Sequence, residues 1–130
     1  MKKYENLELA VLTATPIRHV IMLYEGLIEA LQTALEVMKS GSEEIEDLKR
    51  KYENLEKATD ILTALELTLN EKEGGEIAKR LHEIYVSIGN DITRISIKGD
   101  EPQTIEKAIR VLSELKEAWE DVEKQVYKGG

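Results

Sequence analysis

The order of apolar and polar residues along the chain predicts four helices. Apolar residues recur at intervals of three and four in the segments 16–39, 43–71, 75–97 and 102–126, which is the spacing of one face of an α-helix. The same segments are built mainly from strong helix formers. No segment shows the strict alternation of apolar and polar residues that a half-buried strand requires. The pattern therefore predicts an all-α fold.

Short breaks separate the four segments. Thr15-Pro16 has the form of an N-cap followed by proline at the first helical position. Breaks rich in glycine, serine and proline follow at 40–42, 73–75 and 98–102. Connections this short force consecutive helices to run antiparallel. We therefore expect one domain over residues 1–130, an antiparallel up-down four-helix bundle with a short N-terminal cap segment.

Each predicted helix carries an apolar stripe that we expect to face the core. The stripe of the second helix begins with heptad-like spacing, which is typical of helices that cross at a shallow angle. The first two stripes are Ile17, Val20, Ile21, Tyr24, Leu27, Ile28, Leu31, Leu35 and Met38, and then Ile45, Leu48, Tyr52, Leu55, Thr59, Leu62, Leu65 and Leu69. The other two are Ile77, Leu81, Ile84, Ile88, Ile92 and Ile95, and then Ile105, Ala108, Ile109, Leu112, Leu115, Trp119, Val122 and Val126.

The first two helices carry more apolar residues than one core face can use. The additional positions are Leu23, Ala30, Ala34 and Val37 in the first helix and Ile61, Ala64 and Leu67 in the second. One interpretation is that inner helices touch two neighbours and that small residues let them approach closely. The other is an exposed apolar groove that accepts an amphipathic helix of a partner. Homodimerisation through the same surface would give the same pattern.

The two ends of the chain lie outside the predicted bundle. Residues 1–14 contain Tyr4, Leu7, Val11 and Leu12, which allow one or two amphipathic turns that are too short to be stable alone. We predict a mobile N-terminal cap, either a terminus loosely packed on the bundle or a displaceable flap. Residues 128–130, Lys-Gly-Gly, have no helical signal and are predicted to be a disordered tail.

Composition and charge limit the classes of partner and the cellular compartment that we predict for this protein. The net charge of −8, with no basic cluster, argues against binding to a nucleic-acid duplex or an anionic membrane. The absence of cysteine excludes disulfides, thiolate metal sites and cysteine catalysis. The longest apolar run, residues 20–23, is far too short to span a bilayer. Glu5 and Glu8 interrupt any signal-peptide core. We therefore predict a cytoplasmic protein.

No set of residues predicts catalysis, a metal site or a cofactor. A di-metal site in a helical bundle would need Glu-x-x-His pairs, but Pro16 and Lys79 stand three residues before His19 and His82. Nothing assembles a nucleophile, a base and an oxyanion site, so we predict that the protein is not an enzyme. Two alternatives stay open: a phosphotransfer bundle that uses His82, and a self-associating structural bundle.

Several short fragments, in order from about residue 4 to 122, resemble the flagellar secretion chaperone family (FliS). They are Tyr4, Thr13-Ala14-Thr15-Pro16, Met22-Leu23-Tyr24-Glu25-Gly26, Asn54-Leu55-Glu56-Lys57-Ala58, Leu67-Thr68-Leu69-Asn70, Gly74-Gly75-Glu76-Ile77-Ala78, Ile84-Tyr85 and Glu117-Ala118-Trp119. The chain departs from the family pattern at Glu25, where Asp or Asn is usual, at 86–88 and at 95–96.

The resemblance implies a cytosolic export chaperone. Such a protein binds the disordered C-terminal segment of flagellin, prevents premature polymerisation and assists delivery to the flagellar type III export apparatus. An export-gate component and a second copy of the chain are further candidate partners. The resemblance favours the groove interpretation and a capping role for the N-terminal segment. The predicted partner-binding residues are Tyr4, Leu7, Leu23, Leu27, Ala30, Ala34, Val37, Ile61, Ala64, Leu65 and Thr68.

Overall fold

The fold consists of four long helices. The computed structural model describes residues 16–128, without the side chains of residues 16, 71, 73 and 126–128. The helices are α1 (Pro16–Ser40), α2 (Ile45–Thr68), α3 (Glu71–Lys98) and α4 (Pro102–Lys128). Residues 16–128 contain no strand, and the predicted all-α four-helix fold is confirmed. The predicted N-terminal cap and the last two residues of the predicted tail lie outside the described range, while Lys128 ends α4.

Glycine ends α1 and interrupts α3. Gly41 has φ 66°, and its N–H donates to the Met38 carbonyl at 3.3 Å, a left-handed helix end that favours glycine. α3 begins with one turn from Glu71, ahead of the predicted start at Gly75. Gly75 itself has φ 53° and ψ −133°, so the helix axis breaks there before the long part of α3 begins. The predicted break therefore exists, but one helical turn precedes it.

Ion pairs at both ends show that α1 and α4 run antiparallel. Arg18, near the start of α1, donates from Nε to Glu123, near the end of α4, at 2.8 Å. This partner raises the pKa of the Arg18 guanidinium. At the opposite end of the bundle, Lys39 Nζ lies 2.5 Å from Glu106 Oε1. The pairing of the start of one helix with the end of the other fixes their direction.

The neighbouring pair α2 and α3 is antiparallel in the same way. His82 Nδ1 on α3 lies 2.7 Å from Glu66 Oε2, in the last turns of α2. At the other end, the buried Lys51 Nζ donates to Asp100, just after α3, at 3.0 and 3.2 Å. Lys51 is withdrawn from water while Asp100 stays partly exposed, so loss of the aspartate would leave the buried lysine charge without compensation.

The core joins all four helices through aliphatic side chains and one pair of tyrosines. The hydroxyls of Tyr24 on α1 and Tyr85 on α3 are 2.7 Å apart, and their rings meet edge to face with centroids separated by 6.3 Å. Burial raises the pKa of both phenols. The hydrogen bond satisfies polar groups that would otherwise be buried alone, so the two rings tie α1 to α3 across the bundle.

Five predicted core positions are exposed, contrary to the helical pattern: Ile45, Tyr52, Thr59, Ile77 and Val122. Ile45 is 81% exposed, Tyr52 46% and Ile77 72%. Because Lys51 of α2 pairs with Asp100, beyond the end of α3, the first turns of α2 extend past that helix. Ile45 therefore has no core to enter. Ile77 follows the break at Gly75 and lies in the first turn of the long part of α3.

None of the described helices has a stretch that is long and apolar enough to cross a bilayer.

Candidate docking surfaces

The interface between α1 and α2 is the most extensive helix contact in the bundle. Small residues make it so: Ala30, Ala34 and Ala58 are at most 1% exposed. A Cβ placed on Gly26 would lie 3.3 Å from Ile61 Cδ1, which is tighter than ordinary van der Waals contact. Small side chains at facing positions allow helix axes to approach the short end of the usual 8–10 Å range. Much of the additional apolar surface of α1 therefore packs against α2.

Five predicted partner-binding residues belong to this packed interior. Leu27, Ala34 and Leu65 are 0% exposed, Ala30 is 1% and Val37 is 2%. An exposed docking groove would need these side chains at the surface, and the described fold buries them instead. A partner could reach them only if helices separated. Partner binding by these five residues remains a prediction.

The other predicted partner-binding residues fall into two groups. Leu23, Ile61 and Ala64 are half-buried and Thr68 is exposed, all along α1 and α2. Leu23 and Ile61 also pack against the core. Tyr4 and Leu7 lie outside the described residues. Within residues 16–128, the first group is the part of the predicted site that a partner could reach without helix separation.

An open groove lies between α3 and α4, where the two helices make few direct contacts. It has a volume of about 790 Å³. Its apolar lining comes from Ile84 and Ile88 on α3 and from Ala108 and Val111 on α4. The other lining residues are polar or charged: Arg80, Glu83, Ser87, Asp91, Arg94, Thr104 and Lys107. Grooves of this size that combine apolar and polar groups are typical of binding sites for partner side chains or small ligands.

Charged side chains at one end of this groove are held by one another. Arg94 donates from Nε and Nη2 to Glu101 at 2.7 and 2.8 Å, and from Nη1 to Asp91 at 2.9 Å. Thr104 donates its hydroxyl proton to Glu101 Oε1 at 2.9 Å. The guanidinium and the hydroxyl together lower the pKa of Glu101 to about 2. These contacts fix the positions of Asp91, Arg94 and Thr104 at that end of the groove.

A second cavity, between α1 and α4, has a different character. Its volume is about 720 Å³, and it is lined by five glutamates with Arg110 and Lys116. The glutamates are Glu25, Glu29, Glu114, Glu117 and Glu120. No group of three or more metal-ligating side chains among the described residues could hold a metal ion, here or elsewhere. This cavity is a solvated acidic surface of the bundle.

The two histidines take different positions. His82, the residue of the phosphotransfer alternative, is partly exposed and holds Glu66 through Nδ1. Glu66 Oε1 is buried and has no hydrogen-bond partner among the described residues. His19 lies in the first turn of α1 and is half-buried. His82 thus helps to join α2 to α3.

The groove between α3 and α4 was not predicted from the sequence. Ile84, Ile88 and Ala108 were assigned to the core, and Val111 lies outside the predicted stripe of α4. That additional valine is the one sequence signal for the groove. Whether Val111 faces a groove or the core depends on the distance between α3 and α4. The periodicity of one helix gives no information about that distance.

The protein is a small four-helix bundle with an open groove between α3 and α4. The family model described as flagellar protein FliS matches residues 1–126, and the chain belongs to that family. It is 36% identical over 109 residues to the flagellar secretion chaperone FliS of Vibrio cholerae serotype O1, covering 84% of this chain and 76% of the relative.

Two further relatives carry the same name. The flagellar secretion chaperone FliS of Salmonella typhimurium is 32% identical over 118 residues, covering 90% of this chain and 83% of the relative. The protein of that name from Bacillus subtilis is 29% identical over 107 residues, covering 82% and 74%. The family resemblance seen in the sequence fragments is therefore confirmed, and with it the assignment to the chaperones of flagellar export.

Proposed function

We propose that this chain is a cytosolic chaperone for flagellin. It binds the disordered C-terminal segment of flagellin, prevents premature polymerisation and assists delivery to the flagellar type III export apparatus. Membership of the FliS family supports the chaperone role. The observation that supports a binding site is the open groove between α3 and α4. Its lining includes Ile84, Ile88, Ala108 and Val111.

The client folds as it binds. Ordering a disordered segment costs about 2–5 kcal/mol or more of free energy. Burial of about 1,000–3,000 Å² of surface offsets this cost. The α3–α4 groove receives one amphipathic helix of the client, whose apolar residues recur at helical spacing. The half-buried Leu23, Ile61 and Ala64, together with Thr68, form a second place where the client lies against the bundle.

The groove assignment is tested by two matched valine substitutions on α4. Val111 lines the groove, whereas Val122 is 40% exposed on the same helix and is not among the groove-lining residues. We expect Val111→Asp to weaken binding of a synthetic flagellin C-terminal segment at least about tenfold, because it places a charge against the apolar lining. Val122→Asp should leave the affinity within about twofold, since isolated exposed positions contribute little.

Isothermal titration calorimetry gives both affinities, and circular dichroism checks that both variants keep their helicity. Equal affinities for the two variants would place the client away from the groove. If the unmodified chain does not bind the segment, the client assignment itself is wrong.

A further inference from the structure

The chain joins the two walls of the α3–α4 groove at one end only. Residues 99–101 connect the end of α3 to the start of α4, and Arg94 on α3 adds hydrogen bonds to Glu101 there. At the other end, α3 begins and α4 ends with no connection through the chain. Because α3 and α4 make few direct contacts, the width of the groove towards this second end is set by contacts with the other helices.

Tyr24 on α1 is hydrogen-bonded to the α3 wall of the groove. Its hydroxyl lies 2.7 Å from that of Tyr85, and both side chains are at most 2% exposed. Tyr85 stands between two residues of the groove lining, directly after Ile84 and one turn before Ile88. The hydrogen bond between the two tyrosines therefore fixes the part of α3 that carries the apolar lining.

The α4 wall reaches the same hydroxyl through Trp119. Tyr24 follows Arg18 on α1, and Trp119 precedes Glu123, the partner of Arg18, on the antiparallel α4, so the two rings lie at similar heights in the bundle. Trp119 is half-buried and packs against the core. Burial raises the pKa of Tyr24, and side-chain hydrogen bonds to Tyr85 and Trp119 oppose this rise. An indole has only a donor, so Trp119 donates to the phenol oxygen.

We propose that Tyr24 is a positioning residue for client binding. Its hydroxyl joins Tyr85 on α3 to Trp119 on α4, an arrangement here called the hydroxyl bridge, and holds the two walls of the groove at a fixed separation. Tyr24 itself is buried and acts on the client only through the walls. A groove that is already in place when the client arrives binds it more tightly, because less conformational freedom is lost. This proposal rests on the proposed function and adds to it the residue that sets the groove width.

The separation of the two walls can be measured directly, because the chain has no cysteine. Spin labels on Asn90→Cys and Ser113→Cys report the distance between α3 and α4, since both positions are exposed and neither lines the groove. Tyr24→Phe should broaden the distribution of label distances more than Tyr85→Phe, because it removes two hydrogen bonds rather than one. The control is Ile92→Val, which removes a buried methylene group from α3 and leaves the hydroxyl bridge intact.

The same variants without labels are titrated calorimetrically with a synthetic flagellin C-terminal segment, at a temperature at which circular dichroism shows all of them folded. Tyr24→Phe should weaken binding about fivefold and Tyr85→Phe about threefold. Trp119→Phe should match Tyr85→Phe, because each removes one hydrogen bond of the bridge. Ile92→Val should keep the affinity within about twofold, although it also destabilises the fold.

Each outcome of the two measurements bears on the proposal. Unchanged label distances in Tyr24→Phe overturn it, and so does a loss of affinity in Ile92→Val as large as that in Tyr24→Phe. If the label distances broaden and the affinity stays the same, Tyr24 has only a structural role, and the proposal is wrong while the proposed function stands. An unmodified chain that binds no client segment overturns the proposed function, and the role of Tyr24 in binding fails with it.

Discussion

The α1–α2 interface and the α3–α4 side of the bundle both contain apolar residues, with opposite results. At the first, Gly26, Ala30 and Ala34 let two helices pack so closely that the apolar surface disappears. At the second, Ile88 and Ala108 line a groove of about 790 Å³. The α3–α4 side also carries polar and charged lining residues, among them Arg80, Glu83 and Lys107, and its two helices make few direct contacts. An apolar arc on a helix therefore does not show by itself whether a partner can reach it.

The largest expected effect comes from placing a leucine at the α1–α2 interface and another on the α3–α4 side. Ala30→Leu should lower the free energy of unfolding by about 1–3 kcal/mol, because the close α1–α2 contact has no room for it. Val111→Leu, at a half-buried position in the lining of the groove, should change it by about 0.5 kcal/mol or less. Urea unfolding followed by circular dichroism measures both. Similar losses in the two variants would mean that the α3–α4 side is as closely packed as the α1–α2 side.

A smaller effect tests the buried hydrogen bond that joins α1 to α3. The hydroxyls of Tyr24 and Tyr85 connect α1 to α3. Tyr85→Phe should lower the free energy of unfolding by about 1 kcal/mol, because a buried hydroxyl loses its partner. Tyr52→Phe is the matched control, since Tyr52 is 46% exposed and water replaces whatever its hydroxyl contacts. Thermal unfolding compares the two, and a Tyr52→Phe loss as large as that of Tyr85→Phe would contradict the assignment.

The smallest effect concerns the charges at the edge of the groove. Arg94 and Thr104 lower the pKa of Glu101 from 4.5 to about 2. A carboxylate with a lowered folded-state pKa stabilises the fold above pH 4.5, and this contribution is lost as the pH falls through about 2. Glu101→Gln should therefore lower the melting temperature slightly at neutral pH, and the difference from the unmodified chain should vanish near pH 2.

Glu117→Gln is the control for this pH series, because Glu117 is an exposed glutamate of α4, the helix that follows Glu101. Its melting temperature should follow that of the unmodified chain at every pH. A Glu101→Gln difference that persists at pH 2 would show that the substitution acts through something other than the carboxylate charge.

The sequence predicted the fold well because helix formation is a local property. Pro16 begins α1 as its position predicts, and the glycines at 41 and 75 end or break helices because they adopt backbone angles that other residues avoid. The candidate site was harder. The small residues Ala30 and Ala34 fit both a close helix contact and an exposed groove, and the pattern within one helix does not distinguish them.

The predicted core stripe of α2 was wrong at its start for a related reason. Ile45 has the correct spacing for the core but lies beyond the end of α3, so its neighbour on that side is solvent. Spacing gives the direction of a side chain around the helix axis, whereas burial also requires another element at the same height. The relative offset of two helices is fixed by contacts such as Lys51–Asp100, between residues far apart in the chain.

The sequence by itself determined four helices, their short connections and the family, because periodicity, helix ends and ordered motifs are written in neighbouring residues. Only the tertiary structure decided which apolar surface stays open. It closed the α1–α2 contact over Ala30 and Ala34 and left Ile84 and Val111 beside a groove. The physical reason is that helix separation and offset depend on pairs of side chains on different helices, and no single helix contains that information.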